Sequence, residues 1–323
     1  MSKKIVRLSV LVGILILGVM IYTIGIEKIW KHVNKITLTN FIILLCMRIL
    51  YWMLRTLNWK TVLVNFEEGV SLKELFLARM SGHAISQLTP AAQFGSELTR
   101  TIIVNKNNDG KKVVASVILD KTIEFLSVVF FSFIGVIGLI FRIKLSKNLK
   151  IILISALIIA AILVVSFILR QRKGLFGWFF DFIEKFKSGK KISLKHRAKI
   201  DEIDNHLTKF YEEHKKVFIK VLMLYILLVL FWVTEIYLTI NYLGLYSISF
   251  LDAFFITVIG NFALVFQITP GALGVYEATY IGLFALFKIN AAAAVSIVFV
   301  RRIISLILAG FGLISIWFHR SGK

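Results

Sequence analysis

Proline is almost missing from this sequence, occurring only at Pro90 and Pro270 among 323 residues. Because proline lacks a backbone donor and clashes with the preceding turn, only two places in the chain carry that kind of helix interruption. Cysteine is scarcer still. The single Cys46 excludes an internal disulfide and says nothing of redox compartment; it lies within an apolar run and is read as a packing residue. Acidic side chains are few, 18 Asp and Glu against 39 Lys and Arg. Signatures of catalysis are absent: there is no G-x-S-x-G, no H-E-x-x-H, no G-x-x-x-x-G-K-[ST] phosphate loop, and no Cys and His set at metal-ligand spacing. These absences disfavour ATP-driven transport, and no catalytic residue, cofactor or metal is expected.

What the chain has is hydrophobicity. Apolar residues make up 58% of it and mean hydropathy is +0.82, far above the roughly half-apolar composition of soluble domains. Runs at about 5–26, 41–64, 113–141, 149–170, 217–243 and 291–318 each reach the length needed to cross a hydrocarbon core of about 30 Å, which predicts six crossings. The first run follows Lys3, Lys4 and Arg7, but no small-x-small cleavage site follows it, so a retained helix is expected. Two further apolar regions, about 72–104 and 251–288, hold the two prolines. Each is expected to break into half-helices, as a re-entrant hairpin or, alternatively, as two tilted crossings. The expected fold is an all-α polytopic membrane protein, one integral domain over residues 1–323.

Loop charge sets the expected orientation. Residues 170–216 carry 13 Lys and Arg against 7 Asp and Glu, whereas Gly244 to Ser249 carries no charge. The positive-inside rule then puts both termini and the basic segment 171–216 in the cytoplasm of a multi-pass plasma-membrane protein. Arg142, Lys144, Lys147 and Lys150 fall on the other side, against the rule. Within the basic segment, Trp178, Phe179, Phe180, Phe182, Ile183 and Phe186 predict an amphipathic helix on the inner surface, held to anionic inner-leaflet lipids. The net charge of +21 is read this way, and nucleic acid is not an expected partner.

The sequence also repeats itself. Gln87-Leu88-Thr89-Pro90-Ala91-Ala92, with Glu97 and Thr99, recurs 180 residues later as Gln267-Ile268-Thr269-Pro270-Gly271-Ala272, with Glu277 and Thr279; six of thirteen positions are identical. The offset continues through Ser116 and Ser296, Lys121 and Arg301, and Phe131 and Phe311. The repeats are placed at about 72–141 and 251–318. Three crossings separate the two interruptions, so the second must enter from the opposite face and the repeat is inverted. Transporters recurrently use inverted repeats built on broken helices, with the substrate near the midplane where half-helix ends meet.

Charges inside apolar spans need a partner, water or a task, since one at the bilayer centre costs roughly 2.5–3.5 kcal/mol on insertion scales. Arg48, Arg55, Arg79, Glu97, Arg100, Asp120, Lys121, Glu124, Glu235, Glu277, Arg301 and Arg302 all lie there. Arg48 and Arg55 share a helical face, as do Asp120 and Glu124. Glu97 and Glu277 each follow a proline by seven residues and are candidates to meet an amine or carry a coupling proton. Arg55, Arg100, Lys121 and Arg301 are candidates for phosphate, with structural ion pairing the competing reading. For Arg48, Arg79 and Arg302 snorkelling toward an interface is the competing reading, and His83 is expected to be a hydrogen-bonded structural residue. Mixed signs suit a lipid with a charged headgroup.

Thr89-Pro90 with Gly95, Glu97 and Arg100, then Pro270-Gly271 with Gly274 and Glu277, resemble the paired signatures of the lysylphosphatidylglycerol synthase transmembrane region family, also called flippase-like. The similarity covers roughly residues 5–318. The second signature, P-G-x-x-G-x-x-E, is intact; the first departs from the family's usual P-x-R-x-G-E, with Gln93, Phe94 and Ser96 in the variable stretch. The resemblance implies lipid translocation, of aminoacylated phosphatidylglycerol or a related phospholipid. It also implies substrate contact around Gln87, Pro90, Gln267, Pro270, Gly271 and Gly274. Members with a soluble domain after this region transfer lysine from lysyl-tRNA to phosphatidylglycerol. No stretch here has that make-up, so a phosphatidylglycerol lysyltransferase activity is not expected of these residues. Other members accompany glycosyltransferases, which leaves a polyprenyl-lipid transporter or a membrane subunit with a synthase or glycosyltransferase partner as alternatives. Oligomeric state, a homo-oligomer included, stays open.

Overall fold

The computed structural model describes residues 34–88, 92–104, 109–144, 146–186, 194–243, 248–264 and 269–321, with Glu27 and Trp30. The first expected crossing, 5–26, lies outside the described residues. Among the described residues there are eleven α-helices and no strand.

Five helices are long and apolar enough to cross a membrane: α1 (Leu38–Leu63), α4 (Gly110–Arg142), α5 (Lys147–Gln171), α8 (Lys215–Tyr242) and α11 (Ala291–Ser321). They coincide with five of the six predicted crossings. Their starts follow from side chains that satisfy free N–H groups: Thr37 accepts from Asn40, Asp109 from Lys111 and Ser146 from Leu149, caps typically worth about 1 kcal/mol each. With 33 residues, α4 spans about 50 Å, well beyond a hydrocarbon core of about 30 Å.

The two interrupted regions break as the prolines predict. The first gives α2 (Leu72–Leu88) and α3 (Ala92–Val104), with Thr89, Pro90 and Ala91 outside the described residues. The second gives α9 (Phe250–Leu264), a single 3-10 turn at Pro270–Ala272, and α10 (Val275–Leu286). Gln267 lies outside the described residues. At 17, 13, 15 and 12 residues, each of the four helices is shorter than the roughly 20 residues that a perpendicular crossing requires.

Lipid tails are as apolar as Leu, so helices in a bilayer associate through close backbone approach and polar contacts rather than hydrophobic drive. Glycines supply that approach here. A Cβ on Gly312 of α11 would lie 2.1 Å from the carbonyl oxygen of Met80 on α2. A Cβ on Gly135 of α4 would lie 2.2 Å from the Val258 side chain on α9. Ser81 donates to the Gly312 carbonyl and Ser132 to that of Val258 beside these contacts. Each interrupted region thus packs its first helix on the long helix that follows the other region.

Helix α5 buries little of itself; Ile151, Ile152, Ile158, Ile159, Ile162 and Leu163 are exposed on it, as a lipid-facing helix requires. Cys46, expected to pack inside, is instead exposed on α1, because the α1 side chains that turn inward are Leu44, Tyr51, Trp59 and Val62. The basic segment forms α6 (Leu175–Phe186) and α7 (Leu194–Glu213). Asp204 of α7 accepts from the N–H groups of Phe176 and Gly177 and so caps α6 from outside. Leu207 and Phe210 bury against Tyr51, Val62, Leu119 and Tyr225, docking α7 on the bundle. Arg142, one of the cations on the discordant side, pairs with Asp252 at 3.2 Å.

Candidate functional site

The second signature is explained by the turn it builds. Gly271 and Gly274 have φ of 55° and 78°, which glycine adopts at no steric cost, and Ala272 holds φ of 56° despite the strain its Cβ adds there. Gly271 also lets Gln87 of α2 approach closely, since a Cβ would lie 2.7 Å from Oε1 and 3.3 Å from the carbonyl of Gln87. Glu277, three residues into α10, reaches back to accept from the Gly274 N–H at 2.7 Å, the reciprocal half of a capping box. Arg302 of α11 then donates to the other Glu277 oxygen and to the Gly271 carbonyl, each at 2.6 Å. Pro270 opens the turn, Gly271 and Gly274 shape it, and Glu277 with Arg302 locks it.

This turn forms one wall of a cavity of about 160 Å³, room for several waters. Arg48 and Trp52 of α1 line it with His83, Ser86 and Gln87 of α2, and Trp232 of α8 faces them. Gly271, Ala272 and Tyr276 contribute from the turn and α10, and Arg301, Arg302, Ser305 and Leu308 from α11. Three arginines therefore converge. Arg48 and Arg301 share the buried carboxylate of Glu235, the latter at 3.3 Å. Arg301 lies 5.1 Å from the Tyr280 ring centre and Arg302 5.3 Å from that of Tyr276, contacts that favour a desolvated cation. Among the described residues Nη1 of Arg301 and Nε1 of Trp232 are buried with no hydrogen-bond partner. Nε2 of His83 lies 3.3 Å from the carbonyl and hydroxyl of Ser305, and its ring packs tilted at 45°, 4.8 Å from that of Trp52, while also facing the cavity.

A second ionic cluster sits around α4. Asp120, fully buried, accepts from Arg79 at 2.9 Å, Arg100 at 3.0 Å and the Tyr225 hydroxyl at 2.8 Å. The Trp59 ring lies under both guanidiniums, 4.5 Å from Arg100 and 5.5 Å from Arg79. Next to it, Glu124 pairs with Arg55 and with Lys121, the latter at 3.2 Å. Among the described residues Nε and Nη2 of Arg100 have no partner.

Of the residues singled out in the sequence, Gln87, Gly271 and Arg301 line the cavity, and Pro270, Gly274 and Glu277 build its wall. Arg55, Arg100 and Lys121 belong to the second cluster. Glu97 on α3 is half-buried, with no ion pair among the described residues. Pro90 and Gln267 fall outside the description. The snorkelling reading of Arg48, Arg79 and Arg302 is overturned: Arg79 is 2% exposed, and all three are held by Glu235, Asp120 and Glu277. Trp52 and Trp232 went unremarked, for nothing marks a Trp in an apolar helix as a cavity wall.

No solved structure matches this chain. A UPF0104 membrane protein of Pyrococcus horikoshii is 25% identical over 320 residues, covering 92% of each chain. Another from Methanothermobacter thermautotrophicus is 22% identical over 305 residues, covering 92% of this chain and 90% of the relative. A third, from Methanocaldococcus jannaschii, is 24% identical over 317 residues, covering 95% and 93%. Residues 6–312 match the family described as the lysylphosphatidylglycerol synthase TM region, and this membrane protein belongs to that family.

Proposed function

We propose that the chain is a flippase-like protein that moves the charged headgroup of a lipid across the bilayer while the acyl chains stay in the surrounding lipid. The observation that carries this reading is the arginine-lined cavity, built where α2 of one interrupted region meets the Gly271 turn of the other. An intramembrane cluster of ionisable residues facing a cavity marks a substrate path more often than a structural device.

In this reading the two regions are re-entrant hairpins of an inverted repeat. The sequence repeat supports it, and so does the exchange of contacts by which α2 packs on α11 and α9 on α4. The cavity, with Arg301, Gln87 and Gly271, serves one half of the path. The Arg100, Arg55 and Lys121 cluster serves the other, and Glu97, without an ion pair among the described residues, is the carboxylate that meets an amine or a coupling proton. Both termini and α6–α7 lie in the cytoplasm.

The test is translocation of headgroup-labelled lipid in proteoliposomes, with aminoacylated, anionic and polyprenyl-phosphate lipids run side by side. Wild type is compared with Arg301→Lys, which keeps the charge and loses the planar fork. Translocation of one class that the folded variant loses supports the path and names the class. If folded wild type moves none, the reading fails in favour of a membrane subunit that recruits a synthase or glycosyltransferase through residues 171–216.

A further inference from the structure

We infer that the cavity recognises a phosphate ester through its oxygens alone and makes no use of an amine, so that its ligand is an anionic phosphate headgroup. The inference rests on the lipid-transport reading for where the phosphate comes from, but its chemistry stands on the cavity.

Among the described residues no carboxylate lines the cavity. Two acids paired to its arginines are already engaged: Glu235 by Arg48 and Arg301, Glu277 by the Gly274 N–H and Arg302. An ammonium entering here meets three guanidiniums and no anion. Charge is also unbalanced, three arginines against two glutamates, which leaves one positive charge to be neutralised. The groups left unpartnered have one character. Among the described residues Nη1 of Arg301, on a side chain 2% exposed, Nε of Arg302 and Nε1 of Trp232 are all donors that cannot accept. Buried donors without acceptors are costly, and guanidinium with indole N–H suits a tetrahedral oxyanion. Size agrees: about 160 Å³ admits a headgroup and leaves the acyl chains outside.

Isothermal titration calorimetry on the purified chain in detergent tests this with four probes: inorganic phosphate, glycerol 3-phosphate, short-chain phosphatidylglycerol, and the lysyl ester of that same lipid. The expected order has phosphatidylglycerol binding at least about tenfold tighter than its lysyl ester, with glycerol 3-phosphate competing for the same site at lower affinity. Tighter binding of the lysyl ester overturns the inference and leaves the transport reading standing. Failure of every probe to bind folded protein overturns it as well. Inorganic phosphate binding as tightly as the lipid supports the anion site and overturns the lipid as its source. Because Arg301→Gln risks misfolding, Trp232→Phe serves as the second variant, removing one unpartnered donor while keeping an aromatic ring against Tyr51 and Arg48. It is expected to weaken phosphatidylglycerol binding about fivefold with an unchanged melting temperature; unchanged affinity overturns the placement of the phosphate beside Trp232.

Discussion

Arg302 and Glu277 join across 25 residues at 2.6 Å, tying the middle of α11 to the first turn of α10. Both are largely buried, 15% and 6% exposed. Removing one partner from such a pair leaves an uncompensated charge and typically costs about 3–5 kcal/mol, whereas removing both costs much less. Glu277→Gln is therefore expected to lower the melting temperature sharply in detergent. Adding Arg302→Gln should recover much of the loss, and a double-mutant cycle on thermal unfolding reads the coupling directly.

Around Asp120 the expected effects are graded. Asp120→Asn strips the counterion from Arg79 and Arg100 together and should destabilise by at least about 3 kcal/mol. Tyr225→Phe removes a single hydrogen bond to the same carboxylate and should cost about 1 kcal/mol. Equal losses from the two changes would contradict the geometry.

Two glycines on α11 separate packing from propensity. Gly312→Ala pushes a methyl group into the Met80 carbonyl and should force α2 from α11, whereas a Cβ on Gly310 meets nothing within 4 Å. Gly310→Ala should be neutral, or stabilising by up to about 1 kcal/mol from helix propensity. Melting temperatures of the two variants in one detergent decide it.

Outside the membrane, burial lowers the pKa of His206 on α7, opposed by Asp109 and Glu202 nearby, with Lys112 and Lys209 acting in the same sense as burial. A histidine whose folded pKa is depressed favours the folded state fully above its ordinary value of about 6.5 and less as pH falls toward the folded value. Acidification is thus expected to loosen the docking of α7, seen as lower hydrogen-exchange protection factors in residues 202–213, corrected for the intrinsic pH dependence of exchange, below pH about 6.5. His206→Gln should flatten that pH dependence.

Much of this fold is legible in the sequence, because crossing length and proline interruption are local properties. Leu38–Leu63, Gly110–Arg142 and the breaks near Pro90 and Pro270 need only composition. The spacing of Pro270, Gly271, Gly274 and Glu277 is local too, one turn and one cap. What the sequence conceals is which charge meets which. Arg48 and Glu235 are 187 residues apart, Tyr225 and Asp120 105, and Arg79 and Asp120 41. Those separations are bridged by helix packing alone, so single arginines look like snorkelling residues until their partners are placed. Cys46 misled for the same reason, since an apolar helix in lipid has an outer face as apolar as its inner one.

On the proposed transport reading, the charge count of the cavity among the described residues also ties transport to voltage. Empty, three guanidiniums and two carboxylates leave one uncancelled positive charge; holding a monoanionic phosphate, the same site is neutral. A membrane potential does up to about 2.3 kcal/mol of work per 100 mV on each elementary charge that crosses it. A loaded site moving through the field is then indifferent to potential, while the empty site returning is not. Polarising the membrane would act on one half of the cycle alone.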